Sequence, residues 1–393
     1  RKNTMIKNNE RSEVIAAILI GCAGVYMVFG MPFFVGGMLS ELNFSQSNAN
    51  LISSAEISGM SVSSLLGIMW VGKYNWRKVA ALALSAIIVG NIISCYVSDF
   101  NSLLVIRFLT GLLGHGTAFA LGVAAIGATS QPDKNFGYSV ASQVLMGSLT
   151  ALFIPQAIAN YGIAGMFAPA ILLGIIALFF TSKLAVSAQI KNAKTSTNSK
   201  FLVLPIIALI IMVIWQMGVG PFFNNLVPYG ISMNIEAEIN VFKNTIKVDV
   251  FTILFLSTAL SIIGPLSASA LASKINRSVA ICCALAVQVI IILSFQGEIT
   301  WLGFALRVIL FQTAWNFVGP FLMGLIASVD ESGNYSVLIP ASQLGGIAIG
   351  HGVIASLIQG NNMGLINYYC AAVIFLSAFL YILVAGKLKQ SSF

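Results

Sequence analysis

The stretch "RFLTGLLGHG", Arg107–Gly116, lies inside a segment that is otherwise almost wholly apolar. The letters "NSLLVI" precede it and "TAFALGVAAIGA" follows it, so the run is long enough to cross a hydrocarbon core of about 30 Å as one helix. An arginine inside such a run is costly, and it usually faces a cavity or a partner rather than lipid. The stretch therefore predicts a membrane-spanning helix whose buried face carries a functional polar side chain.

The composition of the whole chain supports a membrane protein. Of its 393 residues, 58% are hydrophobic and 8% are charged, whereas a soluble domain has about 25% charged residues. Apolar runs of roughly 20 residues recur along the chain, and continuous runs of this kind indicate helices rather than barrel strands. The five cysteines all lie in apolar runs without metal-ligand spacing, so we expect no disulfide framework, metal site or cofactor.

Twelve spans are predicted, at about 14–39, 49–72, 79–98, 102–129, 135–159, 163–186, 203–228, 250–273, 278–296, 299–327, 335–358 and 364–386. The first run is too long for a signal peptide and lacks its cleavage pattern, so we interpret it as a retained span. Because residue 1 is arginine, we expect the true start at Met5 or upstream of the given sequence. The polar segment "SAQIKNAKTSTNSK" divides the chain into a first half, 1–186, a linker, 187–202, and a second half, 203–393.

The basic residues predict the orientation of these spans. With the N-terminus in the cytoplasm, sixteen of the twenty lysines and arginines fall on the cytoplasmic side, and two, Lys243 and Lys247, fall on the other side. The remaining two are Arg107 and Arg307, inside spans. This asymmetry is typical of an inner-membrane protein with both termini in the cytoplasm. The basic residues are dispersed over separate loops, so we expect no nucleic-acid partner.

The two halves repeat each other in sequence. "PFF" occurs at Pro32 and at Pro221, an offset of 189, whereas "ASQ" occurs at Ala141 and at Ala341, an offset of 200. Arg107 and Arg307 share the second offset, as do Arg77 and Arg277. One insertion of 11 residues in the 229–249 segment accounts for the change, so we predict a parallel duplication.

Twelve spans, an inside N-terminus and a basic linker between similar halves resemble the major facilitator superfamily, bacterial type. The second copy of its loop signature, Gly-x-Leu-Ala-Asp-Arg-x-Gly-Arg-Arg, is matched in "SALASKINRS" by Leu271, Ala272, Lys274 and Arg277; the first copy keeps Gly67, Arg77 and Lys78. The signature aspartate is absent from both copies, replaced near Val71 and by Ser273. The sequence therefore lacks the residue that the usual charge-based latch of the cytoplasmic gate needs.

The resemblance implies an all-α membrane fold of twelve transmembrane helices in two pseudo-symmetric six-helix bundles. The fourth-span signature of the family is matched by Arg107, Gly111 and Gly114, and in the family this arginine is often implicated in proton coupling. The Gly-Pro-x-x-Gly-Gly core of the fifth-span antiporter signature is absent around Pro155. That absence argues against a typical drug/proton antiporter.

The ionisable residues inside spans are the candidates for proton coupling. Glu56 and Arg107 lie at similar depths below the outer surface, so we hypothesise that they form a pair. The pair either couples proton movement or statically pins two spans, and the absence of any pairing is the third alternative. His115 lies deeper on roughly the same face as Arg107, where it either relays a proton, binds the solute or bonds to a neighbouring span.

The solute site is expected near the midplane, between the halves. Arg307 has no obvious acidic partner except Asp249, so an unpaired Arg307 would favour an anionic solute such as a carboxylate. The cavity-lining spans of the family add polar and aromatic candidates, each of which alternatively serves only helix packing. With Arg307 and His115, the predicted solute-binding residues are Tyr26, Gln143, Trp215, Gln216, Gln312, Trp315, Asn316, Gln343 and His351.

These features predict a secondary active transporter that works by alternating access. We expect proton-coupled uptake of an organic anion, with a proton-driven drug or metabolite efflux antiporter and a passive facilitator as alternatives. No paired carboxylates, metal-ligand helix or Ser/Lys dyad is found in the spans, which argues against an enzyme, and no phosphate-binding loop points to ATP. The expected partners are a small solute, protons and the lipid bilayer, with a monomer as the functional unit.

Overall fold

The structure is a computed structural model that describes residues 2–187, 200–241, 244–357 and 363–390. In the first half, the helices are α1 (Lys2–Glu41), α2 (Gln46–Trp70), α3 (Trp76–Ser94), α4 (Phe100–Leu109), α5 (Gly116–Gly127), α6 (Pro132–Tyr161) and α7 (Ala164–Phe180). A π-helical turn, Thr110–His115, joins α4 to α5 without a break, so that the three pieces form one span. Most of the predicted linker lies outside the described residues.

The second half contains α8 (Lys200–Ser232), α9 (Val250–Leu260), α10 (Ile263–Leu271), α11 (Arg277–Leu293), α12 (Trp301–Val329), α13 (Ile339–Leu357) and α14 (Met363–Gln390). Among the described residues, ten helical segments are long and apolar enough to cross a membrane, and α11, with 17 residues, is a shorter apolar helix. Large apolar side chains on the outer helix faces, such as Leu82, Phe179 and Ile290, are more than half exposed. A surface of this kind is compatible with lipid and not with water.

Equivalent helices of the two halves begin at capping residues that lie 201 positions apart, one more than the offset of the repeated arginines. The side chain of Asn75 accepts a hydrogen bond from the backbone of Arg77, and the side chain of Asn276 accepts one from Ser278. Asp99 and Thr300 cap the next pair of spans in the same way. A side-chain oxygen at this position satisfies a backbone N–H that the first helical turn leaves free. The matching caps are the structural counterpart of the repeat in the sequence.

The insertion between the seventh and eighth spans forms a β-hairpin, for which no strand was predicted from the sequence. Strand β1 (Glu236–Val241) pairs antiparallel with β2 (Asn244–Asp249), with Ala237 opposite Val248. Asp249 ends β2 and also caps α9 by accepting a hydrogen bond from the backbone of Thr252 at 2.8 Å. The end of the bundle that carries this hairpin is called the hairpin end, and the opposite end, which carries the linker, is called the linker end.

The two halves meet at the linker end through two hydroxyl contacts. Ser64 of α2 donates to the carbonyl of Val337 at 2.7 Å and accepts from the N–H of Ala341 at 3.0 Å. Ser269 of α10 donates to the carbonyl of Lys134, at the start of α6, at 2.9 Å. Both serines are almost fully buried, so each contact is shielded from water.

An ion pair reinforces the second of these contacts. Arg277 of α11 donates to Asp133 Oδ2 of α6 at 2.7 and 3.0 Å, and it also reaches Ser328 at 2.8 Å. A Cβ added at Gly324 would overlap the Asp133 carboxylate, so glycine leaves the space that the carboxylate occupies. The linker end is thus closed by charge, although the aspartate of the family's loop signature is missing. Asp133, outside that signature, supplies the carboxylate.

Candidate functional site

Glu56 and Arg107 are in direct contact in the interior of the first half. Arg107 Nε donates to Glu56 Oε2 at 3.1 Å, and a second nitrogen of the guanidinium pairs with Glu56 Oε1. Neither side chain has any exposed surface. Two parallel contacts between a guanidinium and a carboxylate give a geometrically specific pair. The similar depths of the two residues in their spans indicated this neighbourhood in the sequence.

The rest of the guanidinium is also held. Its third nitrogen donates to Asn91 Oδ1 at 3.0 Å and to Ser94 Oγ at 3.1 Å, both on α3. The Arg107 Cζ atom lies 5.0 Å from the ring centre of Phe167 and 5.6 Å from that of Phe34, distances at which an aromatic face attracts a cation. The buried positive charge is therefore compensated by one carboxylate, two polar side chains and two rings.

His115 faces the same pair from the adjoining turn of its span. Its Nδ1 lies 3.0 Å from the carbonyl oxygen of Ala23 and 3.2 Å from that of Gly24, both on α1. Since carbonyl oxygens only accept, Nδ1 carries the hydrogen in the neutral ring and Nε2 is left as an acceptor. Nε2 lies 3.2 Å from Asn91 Nδ2 and 3.9 Å from Glu56 Oε1.

The π-helical turn and two glycines explain how these side chains come together. Eight residues of regular α-helix turn about 80° beyond two full turns, and a π-helical turn takes up an extra residue, which turns His115 back toward the face of Arg107. A Cβ at Gly111 would overlap the backbone carbonyl of Glu56, and one at Gly59 would overlap that of Phe108. The glycines therefore let α2 lie directly against the fourth span.

The second half repeats the arginine without its carboxylate. Arg307 Nε donates to Ser294 Oγ at 3.0 Å, and Ser94 and Ser294 share the offset of 200 residues that relates the two arginines. Arg307 also donates to the carbonyl of Gly303 at 3.0 Å. Among the described residues, no acidic side chain lies within ion-pair distance of Arg307. Its half-buried positive charge is therefore not neutralised by a carboxylate.

Asp249, the acidic candidate for Arg307, is engaged elsewhere. It caps α9, and the hydrogen bonds from the backbone and hydroxyl of Thr252 hold the pKa of its carboxyl below the ordinary value. A carboxylate that accepts such bonds is stabilised in its charged form. Asp249 thus caps α9 and forms no ion pair with Arg307, which leaves the alternative of an unpaired Arg307.

Two predicted solute-binding residues of the second half, Gln216 and Gln312, carry a buried polar atom without a partner among the described residues. Thr258 donates to Gln312 Oε1 at 3.0 Å, which leaves Gln312 Nε2 free, and Gln216 Oε1 is free as well. Asn316 donates to Ser261 at 2.8 Å, and the Trp315 ring packs on Phe223 at 5.4 Å. Buried polar atoms normally have partners, so these two amide atoms are candidates for hydrogen bonds to a polar solute.

Other predicted residues are occupied within the protein. The Trp215 indole has no exposed surface and donates to Gln288 at 2.9 Å. Tyr26 donates to the carbonyl of Met166 at 3.3 Å and lines an apolar crevice of about 490 Å³ between α1, α6 and α7. Gln143 is buried and donates to Ser139 at 3.2 Å. The polar atoms named here thus have partners within the protein in this conformation.

The last two predicted residues lie on α13. His351 Nε2 is 2.8 Å from the amide nitrogen of Asn224 on α8, and Gln343 is half-buried on the same helix. Asn224 is exposed, so its contact with His351 is accessible from outside the protein. His351 and Asn224 therefore form a group separate from the buried cluster around Glu56.

Asn91, Ser94 and Gln288 are site residues that the sequence analysis did not find. They lie on the third and ninth spans, which were not among the expected cavity-lining spans. The serine was detectable, because Ser94 and Ser294 share the offset of the two arginines. For Asn91 and Gln288, no pattern along the chain signals which interior atoms their amides reach.

This chain matches one protein family and is similar to many solved structures, among them two transporters. The family described as Major Facilitator Superfamily matches residues 16–351. The human organic anion transporter MFSD10 (TETRAN) is similar over 94% of this chain and 99% of its own, with 15% identity and a TM-score of 0.70. The proton:xylose symporter XylE, bound to 6-bromo-6-deoxy-D-glucose, is similar over 97% of this chain and 96% of its own, with 12% identity and a TM-score of 0.71. No curated protein sequence matches the chain significantly.

Proposed function

This chain belongs to the major facilitator superfamily of secondary transporters, and we propose that it carries an organic anion into the cell together with a proton. The observation that carries the proposal is the difference between the repeat-related arginines. Arg107 is neutralised by Glu56, whereas Arg307 has no carboxylate within ion-pair distance among the described residues. One half thus supplies a titratable pair and the other supplies a positive charge for the solute.

Proton coupling follows from the cost of a buried, uncompensated charge. A proton on Glu56 would leave Arg107 without its anion in the dry interior, and breaking such a pair costs about 3–5 kcal/mol. Glu56 therefore takes up a proton only in a conformation in which water or another group compensates Arg107. His115, whose Nε2 lies 3.9 Å from Glu56, is the group through which the proton passes. Proton uptake is in this way linked to the change between the two access states.

The solute binds beside Arg307 and the free amide atoms of the second half. A guanidinium recognises a carboxylate through charge and paired donors, and Gln312 Nε2 and Gln216 Oε1 add hydrogen bonds to further polar groups. Trp315 and Asn316 border the same region of α12. The two solved relatives are named an organic anion transporter and a proton:xylose symporter, so the fold accommodates an anion and proton coupling.

The protein acts as a monomer in the inner membrane, with both termini in the cytoplasm and the linker end on the cytoplasmic side. The sixteen-to-two distribution of basic residues supports this orientation. The proposed domain boundaries are 1–186 and 203–393, with the linker at 187–202. The closed linker end then corresponds to an outward-facing state.

Transport by the purified protein in liposomes tests the coupling. With a panel of carboxylates outside, an imposed gradient that is acid outside should drive accumulation, and a proton ionophore should abolish it. Glu56→Gln should lose the dependence of uptake on pH when rates are normalised to folded protein, and the exposed Glu298→Gln should keep it. An unchanged pH dependence in Glu56→Gln contradicts coupling at this pair. Accumulation driven only by an acid interior would identify an antiporter, and insensitivity to the ionophore a passive facilitator.

The role of Arg307 is tested by substitution. Losing a hydrogen bond to a charged group costs about 1.5–3 kcal/mol, so Arg307→Ala should raise KM for a transported carboxylate at least about tenfold. Arg307→Lys should retain part of the affinity, and Lys274→Ala, at an exposed loop residue, should retain all of it. Unchanged uptake of every anion with Arg307→Ala would rule out this residue as the anion site.

A further inference from the structure

Asn91 lies at the centre of the buried cluster and uses both ends of its amide. Its Oδ1 accepts from Arg107 at 3.0 Å, and its Nδ2 donates to the carbonyl of Ile87 at 2.8 Å. The same Nδ2 lies 3.2 Å from Nε2 of His115. Asn91 has no exposed surface, so water does not supply alternative partners. No other described side chain contacts both the arginine and the histidine by a hydrogen bond.

We propose that Asn91 is a positioning residue whose amide has two orientations. In the first orientation it binds a neutral His115 and anchors Arg107 fully. In the second it binds a protonated His115 and holds Arg107 less firmly. The inference rests on the proposed function in one respect, because it assumes that the Glu56–Arg107 pair is the coupling pair. It adds a switch through which protonation of His115 changes the hydrogen bonding of Arg107.

The two orientations of Asn91 exclude each other because its amide has donors at one end and acceptors at the other. An asparagine has donors on its nitrogen and lone pairs on its oxygen, and it cannot present the same atom to both neighbours. In the present arrangement Nδ2 donates to the bare Nε2 of His115 while Oδ1 accepts from Arg107. Once Nε2 carries a proton, two donors face each other. The amide then turns over, offers its oxygen to the histidine and points its nitrogen at the guanidinium.

The turned amide weakens the hold on Arg107. The guanidinium nitrogen that Asn91 held keeps only its contact with Ser94, and the bond from Asn91 to Ile87 is lost. Arg107 is then held by Glu56, Ser94 and the two rings. A less anchored arginine tolerates separation from its carboxylate more readily. A proton at His115 thereby prepares the pair for proton uptake by Glu56.

The groups that face His115 leave Asn91 as the switching element. From α2 it faces the Glu56 carboxylate at 3.9 Å, and from its own span the Arg107 cation lies nearby. From α1 it meets the backbone carbonyls of Ala23 and Gly24, which hold Nδ1 in both protonation states. Among these neighbours only the Asn91 side chain can exchange a donor for an acceptor by rotating in place.

The chain contains only two histidines, which makes a direct test practicable. In His351→Gln protein in lipid nanodiscs, labelled with ¹⁵N-histidine, the remaining signal reports the protonation of His115. A second sample labelled with ¹⁵N-arginine, its Arg107 signal assigned by loss in Arg107→Lys, reports the guanidinium. We expect the Arg107 signal to change at the same pH as the His115 signal. An Arg107 signal that stays constant while His115 titrates overturns the inference, and this readout needs no substitution at Asn91.

A variant gives an independent readout. Asn91→Asp presents acceptors to both neighbours, and its negative charge should raise the pH midpoint of His115 by about one unit or more, a tenfold change in proton affinity. Because the carboxylate can bind Arg107 and His115 at once, the Arg107 signal should no longer change when His115 titrates in this variant. Ser94→Ala removes a contact of Arg107 but none of His115, and should leave the midpoint unchanged. An unshifted midpoint in folded Asn91→Asp, or an equal shift in Ser94→Ala, contradicts the role of the amide.

The outcome also separates this inference from the proposed function. If Glu56→Gln loses the pH dependence of transport while the Arg107 signal ignores His115, only the switch at Asn91 fails. If Glu56→Gln keeps the pH dependence of transport, the coupling role of the pair fails, whatever the magnetic resonance titrations report for the amide.

Discussion

Arg107 and Arg307 occupy equivalent positions, and each donates a hydrogen bond to a serine thirteen residues earlier in the chain, Arg107 through a terminal nitrogen and Arg307 through Nε. Their surroundings differ, because the first half adds Glu56, Asn91 and His115 around its arginine. Where Arg107 is paired, it is part of the protein's own charge balance. Arg307 has no acidic side chain within ion-pair distance in the part of the chain that the structure describes, and we propose that its charge binds the solute. The two equivalent arginines therefore differ in their acidic neighbour, and the roles proposed for them rest on that difference.

Removal of one partner of the Glu56–Arg107 pair should lower the free energy of unfolding of the protein. Glu56→Gln leaves a buried arginine without its anion, and we expect the free energy of unfolding to fall by about 3–5 kcal/mol. The double variant Glu56→Gln/Arg107→Gln removes both charges and should recover much of that loss. Denaturation of both variants in detergent measures the difference. A double variant less stable than Glu56→Gln would show that the charge balance does not dominate.

At the scale of helices, the close approach of α2 to the fourth span makes this pair short and dry. Gly59 and Gly111 leave no side chain between the two backbones, and the π-helical turn Thr110–His115 begins next to that crossing. Membrane helices have no hydrophobic driving force between them, so small residues that permit tight packing set where they meet. The spacing of the glycines therefore fixes the depth at which the carboxylate meets the guanidinium.

Gly111→Ala should separate the two helices. The added Cβ overlaps the carbonyl of Glu56, and overpacking of this kind costs about 1–3 kcal/mol. Gly386→Ala, in α14 with open space around it, should instead be neutral or slightly stabilising, because alanine favours the helix. Melting temperatures of the two variants should move in opposite directions or differ clearly. Equal temperatures would mean that the glycine contact is not needed.

At the scale of the whole molecule, the polar contacts that join the two halves at the linker end include, in the described part of the chain, two serines and one ion pair. Ser64 and Ser269 bridge the halves by hydroxyl bonds, and Asp133 with Arg277 supplies the charge. The repeat-related Arg77 instead donates to the carbonyl of Leu184 in its own half. Arg277 therefore forms an ion pair between the halves, whereas its repeat counterpart Arg77 bonds within its own half.

Asp133→Asn should weaken this closure. With about 1–2 kcal/mol lost from the closed state, the ratio of open to closed molecules should rise about five- to thirtyfold. Spin labels at positions 73 and 274, in loops of opposite halves, should then report a larger population of long distances. Gly324→Ala, which displaces the carboxylate without removing it, should act in the same direction. An unchanged distance distribution in both variants would show that the ion pair does not hold the linker end.

The sequence by itself determined the helical membrane fold, the repeat of the arginines and the neighbourhood of Glu56 and Arg107. These follow from the lengths of apolar runs, from repeat offsets and from depth counted along a helix, and all three are properties of the chain read in order. Asn91 at the centre of the cluster, the engagement of Asp249 by α9 and the ion pair of Asp133 with Arg277 were decided only by the tertiary structure. Lipid and protein interior are similarly apolar, so the hydrophobic pattern of a membrane helix only weakly indicates which of its faces packs against the protein. The rotation of each helix, and with it the partner of each polar side chain, is set when the helices pack.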